Sequence, residues 1–142
     1  MSLERIEAAI PHRKPMLLLD EIVEQGEDRI VCRKTFQADE FFFQGHYPGS
    51  PIVPGVILCE ASMQAGAVLL SSTLSEGEGI PVATRINNVK LKRMVTPGET
   101  IDLDVTLNER VADAFFLTAK VTCGGKLAVR FEFAVTLAPK PV

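Results

Sequence analysis

Cysteine is scarce in this chain and cannot pair off: of 142 residues only Cys32, Cys59 and Cys123 are cysteine, with no CxxC spacing. That excludes a zinc knuckle and a dithiol redox motif, and it predicts free thiols in a reducing compartment. A basic excess is also lacking. Lys+Arg 15 against Asp+Glu 18 gives a formal net charge of −3, which excludes a general nucleic-acid binder held by charge. Ten glycines and nine prolines are too few for a disordered or collagen-like chain. The opening stretch MSLERIEAAIPHRKP has an acid at Glu4 and no apolar core, so it does not read as a secretory signal. The longest uncharged stretch, residues 41–59, contains Gln44, His46 and three prolines and is no membrane span. Metal-ligand clusters, glycine-rich phosphate loops and nucleophilic triads are missing as well. The expectation is a cytoplasmic, soluble protein, with residues 1–142 forming one domain.

Hydrophobic residues make up 46% and charged residues 23%, a balance that supports a buried core. Residues 3–10 place Leu3, Ile6 and Ile10 on one side of a short helix that Pro11 ends. Residues 16–23 and 29–36 read as strands flanking a turn at residues 25–28, and residues 37–54 are irregular. At Pro54-Gly55 the chain turns rich in helix formers, and a proline at a helix start predicts a helix over about residues 56–70. Residues 75–79 break the pattern, and the period then changes to two. Residues 82–95 read as a strand ending at the Pro97-Gly98 turn. Ile101, Leu103, Val105 and Leu107 alternate with polar neighbours, as do Phe115, Leu117, Ala119, Val121 and Cys123. Gly124-Gly125 then separates that run from Leu127, Val129, Phe131, Phe133, Val135 and Leu137, which signals a hairpin. The expectation is an α+β fold: one long helix covered by a curved antiparallel sheet of about six strands, the last four in meander order.

Residues 41–75 carry a single charged side chain, Glu60, and a single imidazole, His46. An unpaired carboxylate in an apolar helix is costly, and the usual escape is a raised pKa that leaves a neutral acid able to donate a proton. Histidine is the natural complementary base. Such a pair suits elimination of water from a 3-hydroxyacyl thioester, which needs one proton removed and another delivered. Gln64 lies one helical turn from Glu60, and Ala67 and Ser71 continue that stripe. On residues alone, the stripe fits a solvated helix face as well as a reaction centre.

The segment FFFQGHYPGSPIVPGVILCEASMQAGAVL resembles the signature GHFPxxPxxPGVLxxEAxAQ, with Gly45, His46, Pro48, Pro51, Pro54, Gly55, Glu60, Ala61 and Gln64 in register. Upstream, IPHRKPMLLLDEIV resembles LPHRxPFLLVDRV, and downstream INNVKLKRMVTPGE resembles IDxxRFKRPVxPGD. The three motifs belong to the hot-dog 3-hydroxyacyl-[acyl-carrier-protein] dehydratases of type II fatty-acid synthesis, the FabZ type. The resemblance implies the hot-dog fold, His46 as base, Glu60 as acid, the Gly55 N–H as donor to the thioester oxygen, and Gln64 as the residue orienting Glu60. It implies a thioester substrate on acyl carrier protein or coenzyme A and no metal or redox cofactor. It further implies a homodimer, with a trimer of dimers common, in which the His and Glu of one site face each other across the subunit boundary. Related dehydratase-isomerases have Asp at the position of Glu60, so Glu60 implies dehydration without isomerisation. His12, in the PHR motif, reads as a structural turn residue.

Between residues 83 and 98 there are Arg85, Lys90, Lys92 and Arg93 and no acids. Lys90, Lys92 and Arg93 are candidates for an acidic carrier protein or a phosphopantetheine phosphate, although lysines also protect strand edges. Asn87, Lys90, Leu91 and Met94 depart from the family's Asp, Arg, Phe and Pro. A hot-dog acyl thioesterase and a noncatalytic acyl-thioester-binding protein are the competing readings, and intact His46 and Glu60 disfavour both.

Overall fold

The computed structural model describes residues 2–74 and 79–139. Helix α1 (Ser2–Ala9) buries Ile6 and ends before Pro11. The strands are β1 (Glu21–Gln25), β2 (Arg29–Thr35), β3 (Ile80–Leu91), β4 (Thr100–Val111), β5 (Ala114–Cys123) and β6 (Lys126–Ala138). They form one antiparallel sheet in the order β1-β2-β4-β5-β6-β3. Helix α2 (Gly55–Ser71) lies against its inner face. This is the α+β hot-dog architecture.

Alternation makes the two faces of the sheet. Ile101, Leu103 and Val105 of β4, Phe115, Leu117 and Val121 of β5, and Phe131 and Phe133 of β6 are buried on the side of α2. The small residues of α2 let the sheet approach closely. A Cβ on Gly66 would sit 2.9 Å from Phe133 Cζ, so the helix surface is shaped for that ring. The outer face carries polar cross-strand pairs: Arg29 bonds Asp104 through two nitrogens, and Arg33 bonds Asp102. Gly124 (φ 59°) and Gly125 (φ 78°) form the predicted two-residue hairpin, whose primed turn needs positive φ at both positions.

The irregular stretch ahead of α2 contributes its own packing. Phe41–Gln44 forms a 3-10 turn that buries Phe42 and Phe43, with the Phe42 ring 6.0 Å from Phe36 and 4.8 Å from Phe43.

Two expectations are corrected. Residues 16–20 are not strand, and β1 begins only at Glu21. Leu17, Leu18 and Leu19 are buried, but the Leu18 N–H and the Met16 carbonyl bond the side chain of Gln64 in place of a neighbouring strand. The meander also holds only for β4, β5 and β6. β3 stops at Leu91 and pairs with β6, on the far edge from β2. Residues 92–99 then cross the sheet end: the Lys92 N–H bonds Ala128, Val95 accepts from Val53, and Gly98 and Glu99 pair with Phe36. Of the breaker at residues 75–79, residues 75–78 lie outside the described residues. At Gly79 (φ 105°) a Cβ would run into the Ala138 carbonyl.

Candidate active site

Glu60 sits in the second turn of α2, one turn before Gln64. The Gln64 amide nitrogen donates to Glu60 Oε2 at 2.9 Å and to the Met16 carbonyl at 2.7 Å, while its oxygen accepts the Leu18 N–H at 2.8 Å. Both N–H groups of the Gln64 amide are therefore used and its oxygen is engaged, and the residue is 1% exposed. Its amide orientation is set by these partners, because a flipped amide would face the Leu18 N–H with its own N–H. The expectation of an isolated buried charge fails here. The Glu60 side chain is 30% exposed, and His12 Nε2 stands 3.7 Å from the same Oε2. Helix periodicity finds Gln64 but cannot find His12, which comes from the loop after α1. The only signal for it is its place in the PHR motif.

A cavity of about 90 Å³ lies beside Glu60, lined also by His12, Met63, Ala67, Pro81 and Ala83. It shares His12, Ala67, Pro81 and Ala83 with a groove of about 530 Å³ that runs between the end of α1, Ser71 of α2 and the first residues of β3. Apart from His12 and Glu60 themselves, the walls of both are uncharged.

His46 lies in the loop after the 3-10 turn, half-buried. Its Nδ1 is 2.9 Å from the Ile52 carbonyl, and its ring stacks on Tyr47 at 4.3 Å. A carbonyl only accepts, so Nδ1 carries the hydrogen and Nε2 of the neutral ring is left bare. Among the described residues, no hydrogen bond or ion pair joins His46 to Glu60 within one chain.

Gly55 opens α2 after Pro54, so its N–H belongs to the first turn, where the helix itself supplies no acceptor. A Cβ there would approach Leu91 Cδ1 of β3 at 2.9 Å, so glycine keeps that end of the helix narrow.

The predicted cationic residues separate. Lys90 and Lys92 are exposed and make no ion pair among the described residues. Arg93 instead binds Glu99 Oε2 at 2.8 Å. The Arg93 guanidinium and the Thr96 N–H and hydroxyl hold the Glu99 carboxyl well below the usual range, at about 2. Burial pushes the Cys32 thiol up to about 12 and raises those of Cys59 and Cys123. These thiols are packing groups.

A curved sheet wrapped on a central helix, with His12, Glu60 and Gln64 gathered beside that helix, defines the class: a hot-dog protein. A FabA-like domain model matches residues 10–132, and the chain belongs to this FabA-like family. It is 39% identical over 138 residues to the 3-hydroxyacyl-[acyl-carrier-protein] dehydratase FabZ of Koribacter versatilis, covering 96% of this chain and 88% of that protein. It is 40% identical over 139 residues to the enzyme of the same name from Chloroflexus aggregans, covering 96% of both. Among solved structures, the dehydratase heterocomplex ApeI:P from Xenorhabdus doucetiae matches with a TM-score of 0.76 at 17% identity, covering 97% of this chain and 91% of that one. The PaaI protein of E. coli matches at 0.68 and 17%, covering 94% and 91%. These two matches concern the fold alone.

Proposed function

We propose that this chain removes water from (3R)-3-hydroxyacyl thioesters, carried on acyl carrier protein, to give trans-2-enoyl thioesters in fatty-acid synthesis. The carrying observation is the His46–Ile52 hydrogen bond, which leaves a bare ring nitrogen to act as base. His46 Nε2 takes the proton from C2. The C2–H electron pair forms the C2–C3 double bond as the C3–O bond breaks. Glu60 gives its proton to the departing hydroxyl, which leaves as water. The Gly55 N–H faces the thioester oxygen, where negative charge develops, from a helix N-terminus. The apolar groove of about 530 Å³ suits the acyl chain. Lys90 and Lys92 are the cations left for an acidic carrier or a phosphopantetheine phosphate, and Arg93 serves the fold through Glu99.

The site is completed by a second copy. β3 is an edge strand, and Val82, Ile86, Val89 and Leu91 are exposed along it, an arrangement that invites pairing with a partner. Among the described residues no helix is long and apolar enough to cross a membrane, and a cytoplasmic home is part of the same proposal.

The test is incubation with a short (3R)-3-hydroxyacyl-carrier thioester, followed by mass spectrometry and a free-thiol assay. Loss of one water without thiol release, abolished in His46→Ala and Glu60→Gln, is the expected result. Release of thiol overturns the reading in favour of thioester hydrolysis.

A further inference from the structure

We propose that His12 is a positioning residue for Glu60. Its Nε2–H points at Oε2 beside the Gln64 amide, so that Oε1 is the oxygen that works on the substrate's hydroxyl. The inference deepens the dehydratase reading and rests on it only for its kinetic readout.

His12 Nδ1 is buried and has no hydrogen-bond partner among the described residues. A buried N–H without an acceptor is the rarer and costlier kind of orphan, so the proton of the neutral ring belongs on Nε2. That nitrogen stands 3.7 Å from Glu60 Oε2, too long for a hydrogen bond but within an ångström of one. Catalytic contacts of this kind commonly tighten when substrate excludes water.

Among the described residues no hydrogen bond occupies Nε2. From α2, Glu60 is the ionisable group at the cavity; the β3 wall offers Pro81 and Ala83, and β6 offers Val135. The neighbouring Arg13 guanidinium is turned away, donating to the carbonyls of Glu7, Ile10 and His12 and standing 4.0 Å from Glu7 Oε2. The Arg13 carbonyl in turn accepts from Met16 and Leu17. This clamp fixes the loop that presents the imidazole. Oε2 thus accepts from its own helix and has the loop's imidazole 3.7 Å away, and no hydrogen bond within the described residues claims Oε1.

Two variants and one spectrum test this. His12→Gln keeps an N–H near the Nε2 position, and His12→Leu keeps bulk without a donor. In the dehydration assay His12→Leu is expected to lose about tenfold in kcat, with KM within about twofold, and His12→Gln to recover most of it. Equal losses in both variants, or no loss in His12→Leu, overturn the proposal. Independently of turnover, imidazole ¹⁵N shifts of the wild-type protein are expected to show the proton on Nε2, with that signal moving in Glu60→Gln. A proton on Nδ1, or an Nε2 signal indifferent to Glu60→Gln, overturns it. If the wild-type protein dehydrates nothing, the functional reading fails while the spectrum still decides the role of His12.

Discussion

His46 Nδ1 lies 2.9 Å from the carbonyl oxygen of Ile52, six residues along the same loop. The bond sets the tautomer and anchors the ring, so structure and chemistry at this residue are separable. Asparagine carries its amide nitrogen near the Nδ1 position and has nothing at Nε2. His46→Asn is therefore expected to melt within a few degrees of wild type while dehydration falls by about 10²–10⁴-fold. Calorimetry and the enoyl-product assay check the two halves.

Gln64 joins the Leu18 N–H, the Met16 carbonyl and the Glu60 carboxyl. Gln64→Leu leaves the Leu18 N–H and the Met16 carbonyl unbonded, at a cost of about 2–4 kcal/mol. For a chain of this length that corresponds to a fall in Tm of about 6–12 °C. Because Glu60 loses its amide donor as well, kcat is expected to fall in protein that remains folded at the assay temperature. Thermal denaturation alongside initial rates separates the two effects.

Glu99 ties down the crossing segment by bonding Arg93 and Thr96. Its carboxyl is held at about 2 in the folded protein, against 4.5 for the free group. A depressed carboxyl adds stability above its unfolded pKa and loses it as pH falls through the folded one. The contribution is thus complete above about pH 5 and disappears towards pH 2. With the side chain 30% exposed, solvent screening leaves it at about 1–2 kcal/mol. Glu99→Gln is expected to lower Tm at pH 7 and to flatten its decline between pH 5 and pH 2.5, as read by circular dichroism.

Much of this was legible before the fold was known, for reasons local to the chain. Pro54-Gly55 announced the start of α2, and Gly124-Gly125 announced a hairpin that only positive φ can close. The features that escaped are those in which a distant side chain replaces a local pattern. Leu17–Leu19 look like a strand because they are apolar, yet their backbone is satisfied by Gln64. Residues 92–99 look like the link of a meander, yet the Pro97-Gly98 turn carries the chain across to Phe36. Glu60 is alone in sequence, and its neighbour in space, His12, lies 48 positions upstream on another element. Periodicity describes one element at a time and cannot see such contacts.

The three thiols provide a simple check of packing. Cys32, Cys59 and Cys123 are all buried and free. In native protein at neutral pH a disulfide-exchange reagent such as Ellman's is expected to react with them slowly, and with all three at once in guanidinium. Rapid native reaction of any one would show that its burial has been lost.

The exposed β3 edge predicts a second consequence of composition. Ile86 is 47% exposed in the single chain. Light scattering is expected to find a species of twice 15.5 kDa, and Ile86→Lys to shift it towards the single chain, since an edge lysine resists strand pairing. Dehydration is expected to fall with the dimer, because the proposed site draws on both copies.

β3 is made before β4, β5 and β6 but hydrogen-bonds to the last of these, with Ile80 opposite Ala138. During synthesis β3 therefore leaves the ribosome without the strand it pairs with, and α2, which can meet only α1 and β2 at first, waits for β4, β5 and β6 to cover the rest of it. The nascent chain carries a partly covered apolar helix and an unpaired strand through that interval, which is when it needs chaperone protection most. A pause in translation placed after β3 would lengthen this exposure and lower the soluble yield, whereas the same pause after β6 would not.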